Sequence, residues 1–442
     1  MARLKNVRVL VAGAGLAGLA AARALEADGA SVTVIEARDR VGGRVWTIRD
    51  GFTAGQYGEG GADFVESTQT ALVTLVRDLR LRLVPTNRRG FGYYGVNARG
   101  RLAVQSMSAG FPPLAARLGP LVYAYKLAER RWTSAIAQSL ARQSVASWLA
   151  SSKAPAWLAQ RMRGFRGLFL ADPEDLSLLA LVDFFADMDE SGWGHASRVV
   201  GGNDEIATVL AKRLKTRVKL ATALRRIRQT DGGIIATVEE RSTHAEIAAD
   251  YAIVALPAIP ARAVVFEPGL PSLQQDALTH LRYGAATRLL LQFSRRFWNK
   301  PGRPTAFGSD QPIGALWDGN EHQKGPAAIL SFLAGGGASR QLQDILRAEG
   351  TDGVVKRLQW LGRPSSVVAS RAVTWEDDPW ARGGYAAFDP AFDPAWRDAL
   401  AWPHRRVMFA GEHTSLRWQG YMNGAVESGQ RAAAEIAAVR LK

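Results

Sequence analysis

Short apolar runs alternate with helix-forming segments at both ends of the chain. Near the N-terminus, residues 7–11 and Ser31–Ile35 are rich in β-branched residues typical of buried strands, and Leu16–Ala27 between them has the composition of a helix. Near the C-terminus, the apolar run 407–410 is followed by a loop with two aromatics and by residues 425–441, whose apolar positions recur at helical spacing. This pattern predicts strand–helix units at both ends.

The middle of the chain has a different texture. Residues 88–197 are rich in helical patterns, tryptophan and basic side chains, which we interpret as a helical insertion. Ser144 is expected to cap one of its helices, and residues 172–175 are expected to begin another. Phe184, Phe185 and Trp193 are candidates for lining a pocket, although packing in the core is the commoner role of such residues.

The first strand leads into a glycine-rich turn with a recognisable spacing. Gly13, Gly15 and Gly18 form G-x-G-x-x-G before the helix, and Glu36 closes the second strand. The first glycine allows the tight turn, the second allows a diphosphate to approach the backbone, and the third allows the helix to pack on the strand. The carboxylate of Glu36 can accept hydrogen bonds from ribose hydroxyls. The unit predicts a dinucleotide site.

Composition limits the remaining possibilities. The chain has 442 residues, of which 47% are hydrophobic and 22% charged, and this is sufficient for a large core. It has no cysteine, which excludes disulfides, thiolate metal sites and cysteine-linked cofactors, and its six histidines show no metal spacing. The net charge of +15 indicates a solvated basic surface or a rim that attracts anions. No compact basic run or binding motif favours nucleic acid.

The N-terminal residues also resemble a secretory signal, but the glycine spacing explains them better. No stretch of eighteen apolar residues predicts a transmembrane helix, so we expect a protein without membrane contact, located in the cytoplasm.

Three segments together resemble one known family. After Glu36 the chain reads A-R-D-R-V-G-G-R, residues 58–81 read GEGGADFVESTQTALVTLVRDLRL, and the C-terminal part contains FAGEHTS followed by W-Q-G-Y-M-N-G-A-V-E-S-G. In this order they resemble the flavin-containing amine oxidase superfamily, most closely its bacterial monoamine oxidase-like members. The resemblance covers nearly the whole chain, and its last segment is the most specific part.

The resemblance implies an α/β fold with two interleaved domains, as in amine oxidases and p-hydroxybenzoate hydroxylase. Residues 1–87, 198–283 and 382–442 would form a Rossmann-like FAD-binding domain. Residues 88–197 and 284–381 would form an α+β substrate-binding domain. Thr68 is expected to cap the helix that follows the second glycine-rich block.

The same likeness implies which residues hold FAD. Glu412 falls where the family contacts the ribityl and phosphate region, backbone near Met422 would face the pyrimidine edge of the flavin, and Leu224 would contact the adenine. The expected cofactor residues are Gly13, Gly15, Gly18, Glu36, Arg38, Gly43, Arg44, Gly60, Gly61, Leu224, Gly411, Glu412 and Met422.

Two tyrosines match the aromatic cage of the family. Tyr385 and Tyr421 would stand opposite each other before the flavin and hold a neutral amine between apolar faces. Trp375 falls where the family packs an aromatic against the flavin ring.

Two positions depart from the pattern. Gly384 stands where mammalian monoamine oxidases carry the flavin-linking cysteine, so FAD is expected to be non-covalent. Arg288 replaces the lysine that holds a water near the flavin. It could orient water, bind a substrate carboxylate or point away, and this leaves oxygen as the electron acceptor open.

The sequence therefore predicts an FAD-dependent oxidase of a small-molecule amine that uses molecular oxygen, is free of nucleic acid and metal, and could form a homodimer. The alternatives are a flavin-dependent dehydrogenase or desaturase with another acceptor, an amino-acid oxidase in which Arg288 binds the carboxylate, and a non-catalytic basic protein on a flavoprotein fold.

Overall fold

The structure is a computed structural model that describes residues 3–106, 111–187 and 195–440, so Trp193 lies outside the described residues. Its strands are β1 (Arg8–Ala12), β2 (Ser31–Ile35), β3 (Thr47–Ile48), β4 (Gly58–Glu59), β5 (Val65–Glu66), β6 (Leu83–Pro85), β7 (Phe91–Val96), β8 (Leu102–Ser106), β9 (Ala196–Val199), β10 (Thr222–Thr230), β11 (Gly233–Glu240), β12 (Thr243–Ala249), β13 (Tyr251–Val254), β14 (Val265–Glu267), β15 (Arg282–Tyr283), β16 (Ala286–Phe293), β17 (Ala306–Ser309), β18 (Ala315–Asp318), β19 (Ala328–Gly335), β20 (Val367–Thr374), β21 (Ala386–Ala387) and β22 (Val407–Phe409). Its α-helices are α1 (Leu16–Ala27), α2 (Thr70–Asp78), α3 (Phe111–Leu127), α4 (Ala135–Ala141), α5 (Val145–Ser151), α6 (Ala156–Met162), α7 (Arg166–Phe169), α8 (Leu178–Asp187), α9 (Glu205–Arg213), α10 (Ala258–Ala261), α11 (Ser272–His280), α12 (Gly337–Lys356), α13 (Trp396–Ala399) and α14 (Met422–Arg440).

A four-stranded parallel sheet joins segments that are far apart in sequence. Its order is β2-β1-β13-β22, with Val9 opposite Tyr251 and Ile253 opposite Met408. Helices α1 and α14 pack together on one face of this sheet within a large apolar core. They approach so closely that a Cβ atom on Gly429 would lie 2.1 Å from the carbonyl oxygen of Ala17. The C-terminal strand and helix thus complete the N-terminal βαβ unit.

The other face of the parallel sheet is covered by a second sheet, of order β12-β11-β10-β14. Leu10, Val254 and Phe409 from the parallel sheet share a buried cluster with Ile227 and Ile234 from the second one. The parallel sheet is therefore buried on both faces, which explains why its strands read as continuous apolar runs.

A seven-stranded mixed sheet forms the second body of the fold. Its order is β20-β16-β19-β18-β17-β7-β8, and β16 pairs antiparallel with both β19 and β20. All eight residues of β16 are buried, and α12 contributes to the apolar cluster of this sheet. The α/β class with an interleaved α+β part, predicted from the sequence, is confirmed, whereas the domain boundaries stay a prediction.

The helical insertion predicted for residues 88–197 is confirmed only in part. Residues 111–187 are mainly helical, but β7 and β8 lie before them, because β7 pairs with β17 and β8 and so extends the seven-stranded sheet. The helices share their apolar cluster with α10, α11 and α13.

Ser144 caps α5, because its side chain accepts a hydrogen bond from the backbone N–H of Ser147 at 3.1 Å. The expected start of a helix at residues 172–175 is wrong: α8 begins at Leu178, and the hydroxyl of Ser177 accepts from the N–H of Leu179. Residue 172 is instead bound to Arg166 by an ion pair.

Two further helix starts differ from the sequence-based expectation. Thr68 does not cap α2, which begins at Thr70 after Gln69, because backbone bonds from Gln69 to Glu66 and from Thr70 to Thr68 close the preceding turn. Helix α14 begins at Met422, three residues before the predicted start. Among the described helices, none is both long and apolar enough to cross a bilayer.

Candidate active site

A cavity of about 1300 Å³ is lined by residues from both parts of the fold. It brings together most of the residues predicted for the site: Gly13, Gly15, Glu36, Arg38, Gly43, Arg44, Gly61, Leu224, Arg288, Trp375, Tyr385, Glu412, Tyr421 and Met422. Gly18, Gly60 and Gly411 do not line it. Phe184 and Phe185 lie outside the cavity, and in the described residues no cluster of potential ligands is arranged for a metal ion.

One end of the cavity is built by the turn between β1 and α1. Gly13 has φ +105°, and a Cβ atom on it would lie 2.6 Å from the carbonyl oxygen of Ala255. A Cβ atom on Gly18 would lie 1.9 Å from the carbonyl oxygen of Gly13, so Gly18 permits the helix to pack on the turn. A Cβ atom on Gly15 would have no neighbouring atom within 4 Å, and no side chain caps α1. The first N–H groups of α1 are therefore available to an anion such as a diphosphate.

Glu36 is held firmly beside this turn. It is 5% exposed, and its two carboxylate oxygens accept hydrogen bonds from the backbone N–H groups of Ala14 (2.8 Å) and Arg38 (2.9 Å). Each oxygen retains a further lone pair for a ribose hydroxyl. The Arg38 side chain pairs with Asp378 at 2.6 Å, which ties the nucleotide end to the chain that follows β20.

Glu412 and Arg44 form an ion pair of 2.9 Å further along the cavity. Glu412 also accepts hydrogen bonds from the N–H of Gly420 at 2.8 Å and of Ala386 at 3.3 Å. Burial opposes the ionisation of Glu412, but Arg44 and the N–H of Gly420 hold its pKa below the usual value. Glu412 is therefore a fixed anion that orients the loop before α14, where Met422 lies at the helix N-terminus.

The glycine pair 60–61 sits beneath Trp375. The indole Nε1 of Trp375 donates to the carbonyl oxygen of Gly60 at 3.1 Å, and this hydrogen bond fixes the orientation of the ring. A Cβ atom on Gly61 would lie 1.9 Å from the carbonyl oxygen of Arg44, and only glycine permits that approach. Trp375 is 3% exposed and presents its remaining surface to the cavity.

Tyr385 and Tyr421 both line the cavity and lie near each other. The hydroxyl of Tyr385 lies 2.8 Å and 3.0 Å from the carbonyl oxygens of Leu168 and Gly167, to which it donates. Gly420 brings the two tyrosines together, because a Cβ atom on it would lie only 3.0 Å from the ring of Tyr385. The ring of Tyr421 contacts the edge of Trp418 at 5.6 Å. Burial raises the pKa of Tyr385 far above its usual value, so its phenol is neutral.

Arg288 lines the cavity and is also bound to the protein. Its Nε and Nη2 lie 3.3 Å and 2.9 Å from the carbonyl oxygen of Glu59, and Nη2 lies 2.5 Å from the carboxylate of Asp63. The guanidinium also stacks on Trp317 at 4.8 Å. Arg288 is 2% exposed, so it forms part of the wall.

Asp63 is a residue of the cavity wall that the sequence did not single out. It is shared by Arg288 and by Arg198, which lies 2.5 Å away, and accepts a bond from Nε1 of Trp317 at 2.8 Å. Burial opposes its ionisation, but the two guanidinium groups hold its pKa below the usual value. The sequence offered only its position after the glycine pair, because its partners lie more than one hundred residues away.

The wall beyond the tyrosines is largely aromatic. Phe64 contacts Trp317 at a ring distance of 5.1 Å and Phe91 at 6.4 Å, and Phe307 lies in the same wall. Phe91 is 39% exposed and marks the mouth of the cavity. This half of the cavity suits an apolar ligand, whereas the half with the glycine turn suits a dinucleotide.

The residues present fit FAD. The open turn at Gly15, the fixed carboxylate of Glu36 and the approach of Trp375 provide for a diphosphate, a ribose and a flat ring system. Gly384 lines the cavity and offers its carbonyl oxygen to Arg44 at 2.7 Å, but it has no side chain that could form a covalent link.

Comparison with known proteins gives a consistent result. The family model described as flavin-containing amine oxidoreductase matches residues 16–437. A protein of Mycobacterium tuberculosis that bears the name flavin-containing monoamine oxidase AofH is 31% identical over 98% of this chain and 97% of its own length. Human amine oxidase [flavin-containing] B is 26% identical over 97% of this chain and 85% of its own length.

Solved structures share the fold over the whole chain. Cyclohexylamine oxidase from Brevibacterium oxydans IH-35A matches with a TM-score of 0.86 and 26% identity. The match covers 99% of this chain and 100% of the oxidase chain. Wild-type putrescine oxidase with bound putrescine has a TM-score of 0.83 and 24% identity, over 98% and 99% of the two chains, and supports the fold alone.

Proposed function

Because the chain belongs to the flavin-containing amine oxidoreductase family, and is therefore a flavoprotein that acts on amines, we propose that it holds FAD without a covalent bond and oxidises a small amine. The α-carbon hydrogen of the amine leaves as a hydride equivalent to the flavin. The resulting imine is hydrolysed by water to a carbonyl compound and ammonia or a smaller amine. Oxygen accepts the electrons and yields hydrogen peroxide.

One observation carries this proposal. Tyr385 and Tyr421 line the same cavity as the glycine turn and Glu36, so a nucleotide-binding end and an aromatic end are continuous. The bound flavin supplies the electron sink for the reaction. The protein supplies the orientation of the amine.

The two tyrosines act by shape and exclusion of water. Their rings offer apolar faces to a neutral amine, and the hydroxyl of Tyr385 is already turned to the carbonyl oxygens of α7. A neutral amine carries the nitrogen lone pair that oxidation requires. Among the described residues of the wall, no strong base lies beside these rings, in agreement with a reaction that needs none.

We propose that Arg288 keeps a positive charge in the part of the cavity wall where the electron acceptor reacts with the reduced flavin. Its Nε–Nη2 edge, which forms paired bonds with carboxylates, is fully occupied by Glu59 and Asp63. This occupation argues against the amino-acid alternative. The use of an acceptor other than oxygen is the second candidate, because a guanidinium fixed by Asp63 has less freedom to hold a water than a lysine.

Replacement of one cage residue tests the proposal. We expect Tyr421→Ala to lower kcat/KM for every amine in a panel by about tenfold or more, because the amine loses one of its two orienting faces. The measurement is peroxide release, together with the flavin absorbance of the purified variant, which should stay unchanged.

The matched control is Tyr123→Ala, which removes a tyrosine that is 66% exposed and does not line the cavity. It should retain the wild-type rate. If Tyr421→Ala binds FAD and retains full activity, the assignment of Tyr421 to an aromatic cage for the amine is wrong.

A further inference from the structure

Glu66 lies in the substrate half of the cavity. It ends β5, which pairs antiparallel with β9 so that Glu66 stands opposite Ala196, and both residues line the cavity. Successive side chains of an extended segment point to opposite faces. Val65 is 1% exposed in the core below, so Phe64 and Glu66 face the other way. Glu66 thus continues the aromatic wall formed by Phe64.

Glu66 differs from the other carboxylates of the cavity. Among the described residues four carboxylates line it, and three are paired: Glu36 with backbone N–H groups, Asp63 with two arginines, and Glu412 with Arg44. Within the described part of the chain, the side chain of Glu66 makes no hydrogen bond and no ion pair. Burial raises its pKa to about 7, and no charged neighbour offsets this effect.

A partly buried carboxylate without a partner does not contribute to the stability of the fold. Removing such a carboxylate from water has a desolvation free energy that no contact of Glu66 with the described residues offsets. The arginines of the described lining do not neutralise Glu66. Four of them are each bound to another carboxylate, namely Arg38, Arg44, Arg225 and Arg288, and Arg88 is exposed. Among the described residues this carboxylate has no partner, so we treat it as available to a ligand, and a carboxylate in an apolar wall binds a cation best.

We infer that Glu66 binds a second, positively charged amino group of the substrate, so that the preferred substrates are diamines or longer polyamines. This inference rests on the proposed function, because the first amino group is the one held by Tyr385 and Tyr421. One end of the substrate is then neutral and reactive between the rings. The other end remains protonated and pairs with Glu66, and the apolar wall around Phe64 contacts the alkyl chain between them.

The test compares linear diamines with monoamines of equal carbon number on the FAD-loaded enzyme. We expect the best diamine to exceed its matched monoamine in kcat/KM by about tenfold, because the second ammonium gains a charge-assisted hydrogen bond. In Glu66→Gln, which keeps the shape and removes the charge, this ratio should fall about tenfold through a higher KM for the diamine. The control Glu246→Gln removes the same charge at an exposed position on β12 and should keep the wild-type ratio.

A second variant separates binding from a structural role. Glu66→Asp retains the charge but is one methylene shorter, so the preferred diamine should become longer by about one carbon. Equal efficiency of both amine series in wild type and Glu66→Gln would overturn this inference alone. Absence of turnover with any amine would overturn the proposed function and the inference together.

Discussion

At the scale of single residues, most buried charges of the site are neutralised by a partner of opposite charge or by protonation. Asp63 is shared between two arginines, and Glu59 lies close enough to Asp63 to be affected by its charge. Glu59 is 2% exposed, and its carboxylate contacts the N–H of Asn203 and the hydroxyl of Thr47. Burial first, and then Asp63, raise the pKa of Glu59 to about 8. Glu59 is therefore mostly protonated at neutral pH and leaves Asp63 as the anion between the arginines.

The raised pKa of Glu59 predicts a pH-dependent stability. The unfolded chain releases this proton near the ordinary glutamate pKa of 4.5, and the folded protein retains it until about pH 8, so the folded state binds more protons in this window. Stability should fall as pH rises from 4.5 to 8. Between about pH 5.5 and pH 7.5 we expect wild type to lose about 2 kcal/mol of unfolding free energy more than Glu59→Gln.

Urea unfolding of the FAD-loaded protein at the two pH values measures this difference. Glu66 titrates with the same sign in both proteins, so the comparison isolates Glu59. The same pH slope in wild type and Glu59→Gln would show that Glu59 is ionised in the folded protein.

At the scale of secondary-structure elements, the two glycines that flank the start of α1 have separate tasks. A Cβ atom on Gly18 would collide with the carbonyl oxygen of Gly13, whereas one on Gly15 would meet nothing in the protein. Gly18 thus serves the packing of the helix on the turn. Gly15, with an ordinary φ of −72°, serves the close approach of a ligand.

This difference predicts opposite behaviour of two alanine variants. Gly18→Ala should destabilise the protein by about 2 kcal/mol, because the helix must move away from the turn. Gly15→Ala should keep the stability of the protein without FAD and weaken FAD binding by about tenfold or more, since the new methyl group occupies the space of the diphosphate. Thermal unfolding without FAD and titration with FAD give the two quantities. Equal loss of stability in both variants would contradict the assignment.

The elements also show what the sequence could and could not predict. Helix α1 and strand β2 have the predicted bounds, because the glycine spacing and the apolar pattern are local signals. The predicted starts of α2 and α14 were wrong because backbone bonds in the preceding loops determine them. The roles of Asp63 and Glu66 depend on partners, or on a lack of partners, that only the folded chain reveals.

At the scale of the whole molecule, the cavity exists because distant parts of the chain meet. The parallel sheet combines strands from residues 8 to 409, and the seven-stranded sheet contributes Arg288 and supports Trp375. A local motif could therefore predict the nucleotide end, but the aromatic end required the resemblance of the whole chain to a family. The continuity of the two ends is the physical basis of the proposed reaction.

The most direct test of this account is the visible spectrum of the purified protein during anaerobic addition of amines, followed by air. The account predicts flavin bands that bleach with an amine and return in air with formation of peroxide. Bleaching that persists in air would retain the amine reaction but contradict oxygen as acceptor, and would direct attention to Arg288. If no amine bleaches the flavin bands, the central claim that this protein oxidises amines with its bound flavin is wrong.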